Sequence, residues 1–210
     1  MKRFLVLLAL VALCAGVANA QYIYENDNEI GIYMVQDPTA ENAQMQAQYS
    51  GTPGTFTAYV VCTHPINMHY GDPLSTVRSP ISVIGGFEFR LVIPASVYLL
   101  SAILPPSSTN FATPPDYLAG SAAPVVNDHS TLLTLTLGAF TGQPDFIYLS
   151  PVQQAPQSIP GSMAITDYND AFRLNPAFPV SGNYSWPVFR LWGTVPVEDT
   201  AWGDVKSLYR

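Results

Sequence analysis

The sequence predicts an all-β fold, an antiparallel β-sandwich closed by a short carboxy-terminal helix. Three observations carry this expectation. Nineteen prolines, all of them after residue 20, cut the chain into stretches too short for a long helix, because proline removes a backbone donor and clashes inside a helix. Between these breaks the apolar residues are β-branched or aromatic, and several runs alternate with period two, as half-buried strands do. Turns rich in Pro, Gly and Asn separate eight or nine such runs, the number that a sandwich or barrel takes.

In chain order, residues 1–20 read as a cleavable signal peptide. Lys2 and Arg3 give a positive start, Phe4 to Cys14 an unbroken apolar run, and Ala18-Asn19-Ala20 the small residues at which cleavage after Ala20 is expected. The run is shorter than the ~20 apolar residues that a membrane-spanning helix needs, and no later stretch approaches that length. The mature chain is therefore expected to carry no transmembrane segment and to be secreted, periplasmic or held on the cell surface. Leu13 stands where lipid attachment to Cys14 would want a small residue.

A strand is expected over Ile30–Val35. Ala40 to Gln48 has helix-forming composition but almost no apolar face, so a loop or one weak helical turn is expected there. Thr55 to Thr63 is the clearest strand, with Phe56, Ala58, Val60 and Cys62 on one face and Thr55, Thr57, Tyr59 and Val61 on the other. Ile81 to Ile93 is a longer strand that Gly85-Gly86 interrupts with a bulge or bend. After that break Phe87, Phe89, Leu91 and Ile93 alternate with Glu88, Arg90 and Val92. Val97–Leu104 and Tyr117–Val126 follow. Thr131 to Phe140 then sets Leu133, Leu135 and Leu137 against Thr134 and Thr136. Phe146–Val152, Met163–Thr166 and Val188–Trp192 complete the strands, giving one sandwich domain over 21–198.

Residues 199–210 form a helical segment or tag. Asp199 or Thr200 can cap it, acids lie toward its start, and Lys206 and Arg210 lie toward its end, as the helix dipole prefers. Trp202, Val205, Leu208 and Tyr209 fall on one face at three- and four-residue spacing. A helix this short needs a partner surface. That surface is either the sandwich itself or another protein that reads the segment, and the four residues are the candidate partner contacts.

Removing residues 1–20 leaves six basic and fifteen acidic residues, with Lys206 the one lysine. Such a chain cannot neutralise a phosphate backbone, so nucleic-acid binding is excluded. One cysteine remains, Cys62, so no intramolecular disulfide can form and core burial must hold the fold. Its bland role is that of a small buried hydrophobe.

Several clusters invite a chemical reading. Cys62, His64, Met68 and His69 are ligand types of copper sites, but copper sites draw a distant histidine from another strand, and a polar turn after a buried cysteine accounts for them. Asp167, Asn169 and Asp170 pack oxygen donors into four residues, and Glu25, Asp27 and Glu29 form a second acidic patch. Calcium is the cofactor such loops would take. Asp and Asn also serve turns through their own backbone hydrogen bonds, and that reading is preferred. Asp128-His129-Ser130 has the residue types of a hydrolase triad, but a working triad is assembled from separate elements. No catalytic set and no cofactor other than calcium is expected. Twelve tyrosines, with Trp186, Trp192 and Trp202, supply either half-buried strand positions or a platform for a protein or polysaccharide surface.

At Ile30-Gly31-Ile32-Tyr33, Thr55–Thr63 and Gly85-Gly86-Phe87-Glu88-Phe89-Arg90-Leu91 the chain resembles cohesin-type and related immunoglobulin-like sandwiches of exported bacterial proteins. Val92-Ile93-Pro94 replaces the Tyr-Asp that follows the strand in cohesins. Ser158-Ile159-Pro160-Gly161 and Trp202-Gly203-Asp204-Val205-Lys206-Ser207-Leu208-Tyr209-Arg210 resemble segments of a group of uncharacterised exported proteins from environmental bacteria. The signal, the strand pattern, the aromatic surplus and the lack of a catalytic set lead to the expectation of an exported, non-catalytic binding or cell-envelope structural module. The alternative is a secreted carbohydrate-active or other hydrolase using loop carboxylates such as Asp116, Asp128 or Asp145.

Overall fold

The structure, a computed structural model, describes residues 27–68, 78–153 and 157–192. The signal segment 1–20 and the segment 199–210, with Trp202, Val205, Leu208 and Tyr209, lie outside the described residues. So do Glu25 and His69. The described strands are β1 (Glu29–Tyr33), β2 (Gln48–Tyr49), β3 (Gly54–Thr63), β4 (Ile66–Asn67), β5 (Ser79–Pro80), β6 (Val83–Val92), β7 (Val97–Ile103), β8 (Thr109–Asn110), β9 (Asp116–Pro124), β10 (His129–Ala139), β11 (Asp145–Ser150), β12 (Met163–Asp167), β13 (Asp170–Pro179) and β14 (Phe189–Leu191). One helical turn, α1 (Ala43–Gln46), sits in the stretch that the sequence reads as a loop or weak turn. No helix among the described residues is long and apolar enough to cross a membrane.

The strands follow one hydrogen-bonded path, β2-β14-β11-β6-β12-β13-β1-β3-β10-β7, with β9 on the other side of β6 and β8 beyond it; β4 and β5 make a separate ribbon. Pairing is antiparallel except between β1 and β13 and between β14 and β2. The path folds back so that β1, β3, β10 and β7 form one layer and β9, β6, β12 and β13 the other. The fold is thus a β-sandwich-like, mainly antiparallel all-β structure.

One apolar core fills the space between the layers. Phe56, Ala58, Val60, Phe87, Phe89, Leu91, Leu133, Leu135 and Leu137, the inward positions of the period-two reading, are all buried. Two departures have visible causes. Leu132 is buried beside Leu133, because the register between β10 and β3 shifts there and Leu132 is the extra residue of a bulge. Val61, expected to face outward, is also buried. It lies opposite Gly31, and the Tyr33 ring occupies the space above that glycine.

Gly85-Gly86 marks a real irregularity. The β6–β9 register shifts between Ile84 and Gly86. A Cβ on Gly85 would stand 2.6 Å from the Tyr168 Cα, so the glycine lets the β12–β13 turn approach β6 and Tyr168 N–H donate to the Val83 carbonyl at 2.9 Å.

The sequence reading contains no strand where β13 lies, and Pro176 and Pro179 are residues that a strand interior rarely takes. The strand survives because of where its donors point. Phe178 and Val180 donate to the carbonyls of Asn28 and Ile30, on the β1 side. By the two-residue alternation the Pro176 nitrogen faces that same side, upstream of the first β1–β13 pair, and away from β12. No ladder bond to β12 is lost.

Candidate functional site

The sequence-derived site residues fall into separate environments. Asp167 is buried and accepts hydrogen bonds from Asn67 Nδ2 at 2.7 Å and from the Asn169 amide at 2.9 Å. Asn169 donates to Ser82 Oγ at 3.4 Å, and Asp170 pairs with Arg173 at 2.6 Å. Asp167 and Asn169 are thus joined by a bond of the kind Asp makes in turns, while Asp170 bonds elsewhere. Among the described residues no three His, Cys, Asp or Glu side chains cluster as metal donors.

Cys62 is a free, fully buried thiol. Burial, with the carboxylates of Glu29 and Asp128 adding to it, pushes its pKa up, so the thiolate that a soft metal needs is suppressed. His64 ends the strand with φ 47° and bonds Asp128 through Nδ1. Asp27 pairs with Arg78, and Glu29 is buried.

The loop carboxylates are held apart in the same way. Asp116 is buried and pairs with Arg90 Nη1 at 3.1 Å. Asp145 accepts from Ser96 Oγ and from the Phe146 amide. Asp128 faces His64 rather than its neighbour His129. Asn127 and Asp128 both have positive φ, 49° and 68°, and the amide and carbonyl of Val126 and His129 exchange hydrogen bonds across them. This is the two-residue turn for which Asn and Asp are favoured.

His129 is the one member of that trio whose environment is unusual. It is 7% exposed. Its Nδ1 lies 2.8 Å from the Asn127 carbonyl, an acceptor only, so Nδ1 carries the proton in the neutral ring and Nε2 presents a lone pair. Among the described residues no hydrogen bond to Nε2 is found. The ring lines a groove of about 850 Å³ whose walls are Ile103, Leu104, Pro105, Pro106, Pro124 and Val126. Asp37 is the charged residue of its lining.

The groove exists because β7 stops early. Pro105 and Pro106 follow one residue after its end, and proline cannot continue a ladder. The chain turns there, Ser108 donating to the Pro105 carbonyl, and leaves for β8 in the other layer. β7 therefore pairs with β10 only from Thr134 to Ala139. The first half of β10 has β3 on one side and, past the His129–Val126 exchange, no strand among the described residues on the other.

Beside the groove lies an uncharged surface. β3, β10 and β7 contain no Asp, Glu, Lys or Arg. Outward Thr57 pairs with Thr136, and Thr136 accepts from Ser101 Oγ at 3.1 Å. A register shift makes Leu100 an extra residue on β7, and its side chain lies with the Phe140 ring over Gly138. Tyr98 pairs with Gly138, its ring 6.1 Å from that of Phe140. Tyr98, Leu100, Ile103 and Phe140 are each more than half exposed.

The other aromatics divide between core and rim. Tyr33 and Tyr117 are buried, and burial raises the Tyr117 pKa. Tyr49 stacks on Phe56 at 4.0 Å and meets Trp192 edge-on at 5.7 Å. Comparison of the chain with protein families, curated proteins and solved structures yields no significant match.

Sequence reasoning missed the groove. Its walls come from the end of β7 and from the turn between β9 and β10, and period-two patterns say where strands run but not where a neighbour stops. The Leu104-Pro105-Pro106 stop was the available signal.

Proposed function

We propose that the protein is an exported, non-catalytic β-sandwich module that binds a protein or polysaccharide surface of the cell envelope through the outer face of β3, β10 and β7. The observation that carries this reading is the exposure of Tyr98, Leu100 and Ile103 on β7 and of Phe140 just after β10, beside strands that carry no charge. Contiguous exposed apolar residues rimmed by hydroxyls mark interaction surfaces, and aromatic rings give such contacts much of their energy. The immunoglobulin-like and cohesin-like resemblance and the signal-like residues 1–20 support the same reading and its extracytoplasmic setting. Asp116, Asp128 and Asp145 are each engaged by a different protein group, which favours binding over hydrolysis.

The test is co-sedimentation of the purified chain with insoluble polysaccharides and envelope sacculi, beside the Tyr98→Ser/Phe140→Ser double variant. The expected result is sedimentation of the wild type, retention of the variant in the supernatant, and no release of reducing sugar. Equal behaviour of the two proteins, or sugar release, overturns the proposal.

A further inference from the structure

The groove beside His129 has a feature that an ordinary apolar cleft lacks, which is a strand edge at Thr131 that no other strand among the described residues pairs. The His129 amide and carbonyl both face Val126, away from β3. Two residues on, before the bulge at Leu132, the amide and carbonyl of Thr131 face the same way by strand alternation. Thr131 lines the groove. An exposed strand edge of this kind is a template for another strand.

We propose that this groove receives an extended apolar peptide segment of a partner protein, which pairs with β10 at Thr131, in the slot that β7 vacates at Ile103. The inference rests on the binding-module reading but places a second, different contact on it. Main-chain bonds to Thr131 supply affinity, and alternate side chains fall between Ile103, Leu104, Pro105 and Val126, the division of labour seen in strand addition. His129 Nε2 accepts one further hydrogen bond, from a peptide N–H or a side-chain hydroxyl. The carbonyl of Asn127 holds the ring in that tautomer, so the acceptor is set before the peptide arrives. Charge narrows the occupant further. The proline walls have no amide donors, and Asp37 is the charged residue of the lining, so a segment bearing carboxylates is repelled and one with neutral or cationic ends is favoured.

The experiment uses the full chain, immobilised, and a displayed library of random linear peptides. Enriched sequences should alternate apolar with uncharged polar residues and lack Asp and Glu. A synthetic copy of one should lose affinity by about tenfold or more, ~1.4 kcal/mol, when N-methylated at alternate amides in the register that faces β10. It should lose a similar factor against Val126→Asp. Val126 is 58% exposed, so that variant keeps its core, and an unchanged melting curve verifies this. Tyr98→Ser/Phe140→Ser should bind the peptide as the wild type does. Failure to enrich any peptide, insensitivity to N-methylation, or full binding by Val126→Asp overturns the inference. If sedimentation through Tyr98 and Phe140 still holds, the binding-module reading survives that failure, whereas loss of both removes both.

Discussion

The two layers of the sandwich spend their polar residues differently. In the layer built from β9, β6, β12 and β13, charge is turned inward on the fold. Arg90 pairs with buried Asp116, Asp170 pairs with Arg173, and both oxygens of buried Glu88 accept the Ser158 amide at 3.2 Å. In the opposite layer β3, β10 and β7 carry no charge at all, and their outward positions hold hydroxyls and large apolar side chains. Buried charges need partners, so the first layer's ions are committed to holding it together. The second layer's face is committed to nothing within the described residues. A chain with this excess of acids would repel an acidic partner almost anywhere else on its surface, and the uncharged sheet is where that repulsion is least.

The contrast breaks first in the core. Leu135 sits at the centre of β10, fully buried and opposite Ala58. Leu135→Ala should cost about 2–5 kcal/mol through lost transfer energy and the cavity left behind, measured by urea unfolding. A cost as small as that of an exposed leucine would mean that the uncharged layer does not close the core. The charged layer has its own sensitive point. Gly85→Ala places a methyl 2.6 Å from the Tyr168 backbone. Backbone cannot swing aside as a side chain can, so overpacking of about 1–3 kcal/mol is expected. An unchanged unfolding midpoint would show that the β12–β13 turn is free to withdraw from β6.

How much of this contrast is legible in the sequence depends on the element. The inward positions of β3, β6 and β10 follow from alternation alone, because a strand buried on one face must repeat every two residues. The bulge at Gly85-Gly86 is legible because a double glycine inside a strand has few other uses. β13 is hidden, because proline argues against a strand unless one knows which way its nitrogen faces, and only the pairing with β1 and β12 tells that. The candidate site is less legible still. Tyr98 and Phe140 lie 42 residues apart and meet only because β7 pairs with β10 with a bulge at Leu100. The composition showed the aromatic surplus and could not say which rings share a face. Asp128-His129-Ser130 drew attention for its residue types, while the relevant facts about His129 are a backbone carbonyl on one nitrogen and a groove before the other.

The buried thiol and phenol give a pH-dependent test across the two layers, since Cys62 belongs to β3 and Tyr117 to β9. Burial raises both pKa values, so the folded chain holds these protons more tightly than the unfolded one. The stability this contributes is complete below the ordinary values, 9.0 for the thiol and 10.0 for the phenol. It drains as the pH rises above them, at ~1.4 kcal/mol per pH unit for each group. Cys62→Ala should therefore delay the onset of alkaline loss to the range of the phenol. Urea midpoints that fall equally early in wild type and variant would show that the thiol titrates freely in the fold.

The smallest expected change in stability is also the one that separates the layers most cleanly. Tyr98→Ser and Phe140→Ser remove two rings whose centroids lie 6.1 Å apart, that of Phe140 covering Gly138, yet they are 58% and 55% exposed. The loss is one partly solvated ring contact and some shelter for a glycine. Exposed substitutions of this kind cost about 0.5 kcal/mol or less each. Phe87 and Phe89 make a comparable pair at 5.5 Å on β6, but both are buried, and Phe89→Ala should cost about 3–5 kcal/mol. Measured side by side, the two pairs ask whether aromatic residues on the uncharged layer are there for the fold or for something outside it. If Tyr98→Ser/Phe140→Ser destabilises as Phe89→Ala does, the outer rings belong to the fold and the interaction surface loses its main support. If the double variant melts with the wild type but no longer sediments with its target, the rings serve contact alone, and the uncharged face of β3, β10 and β7 is the working face of the molecule.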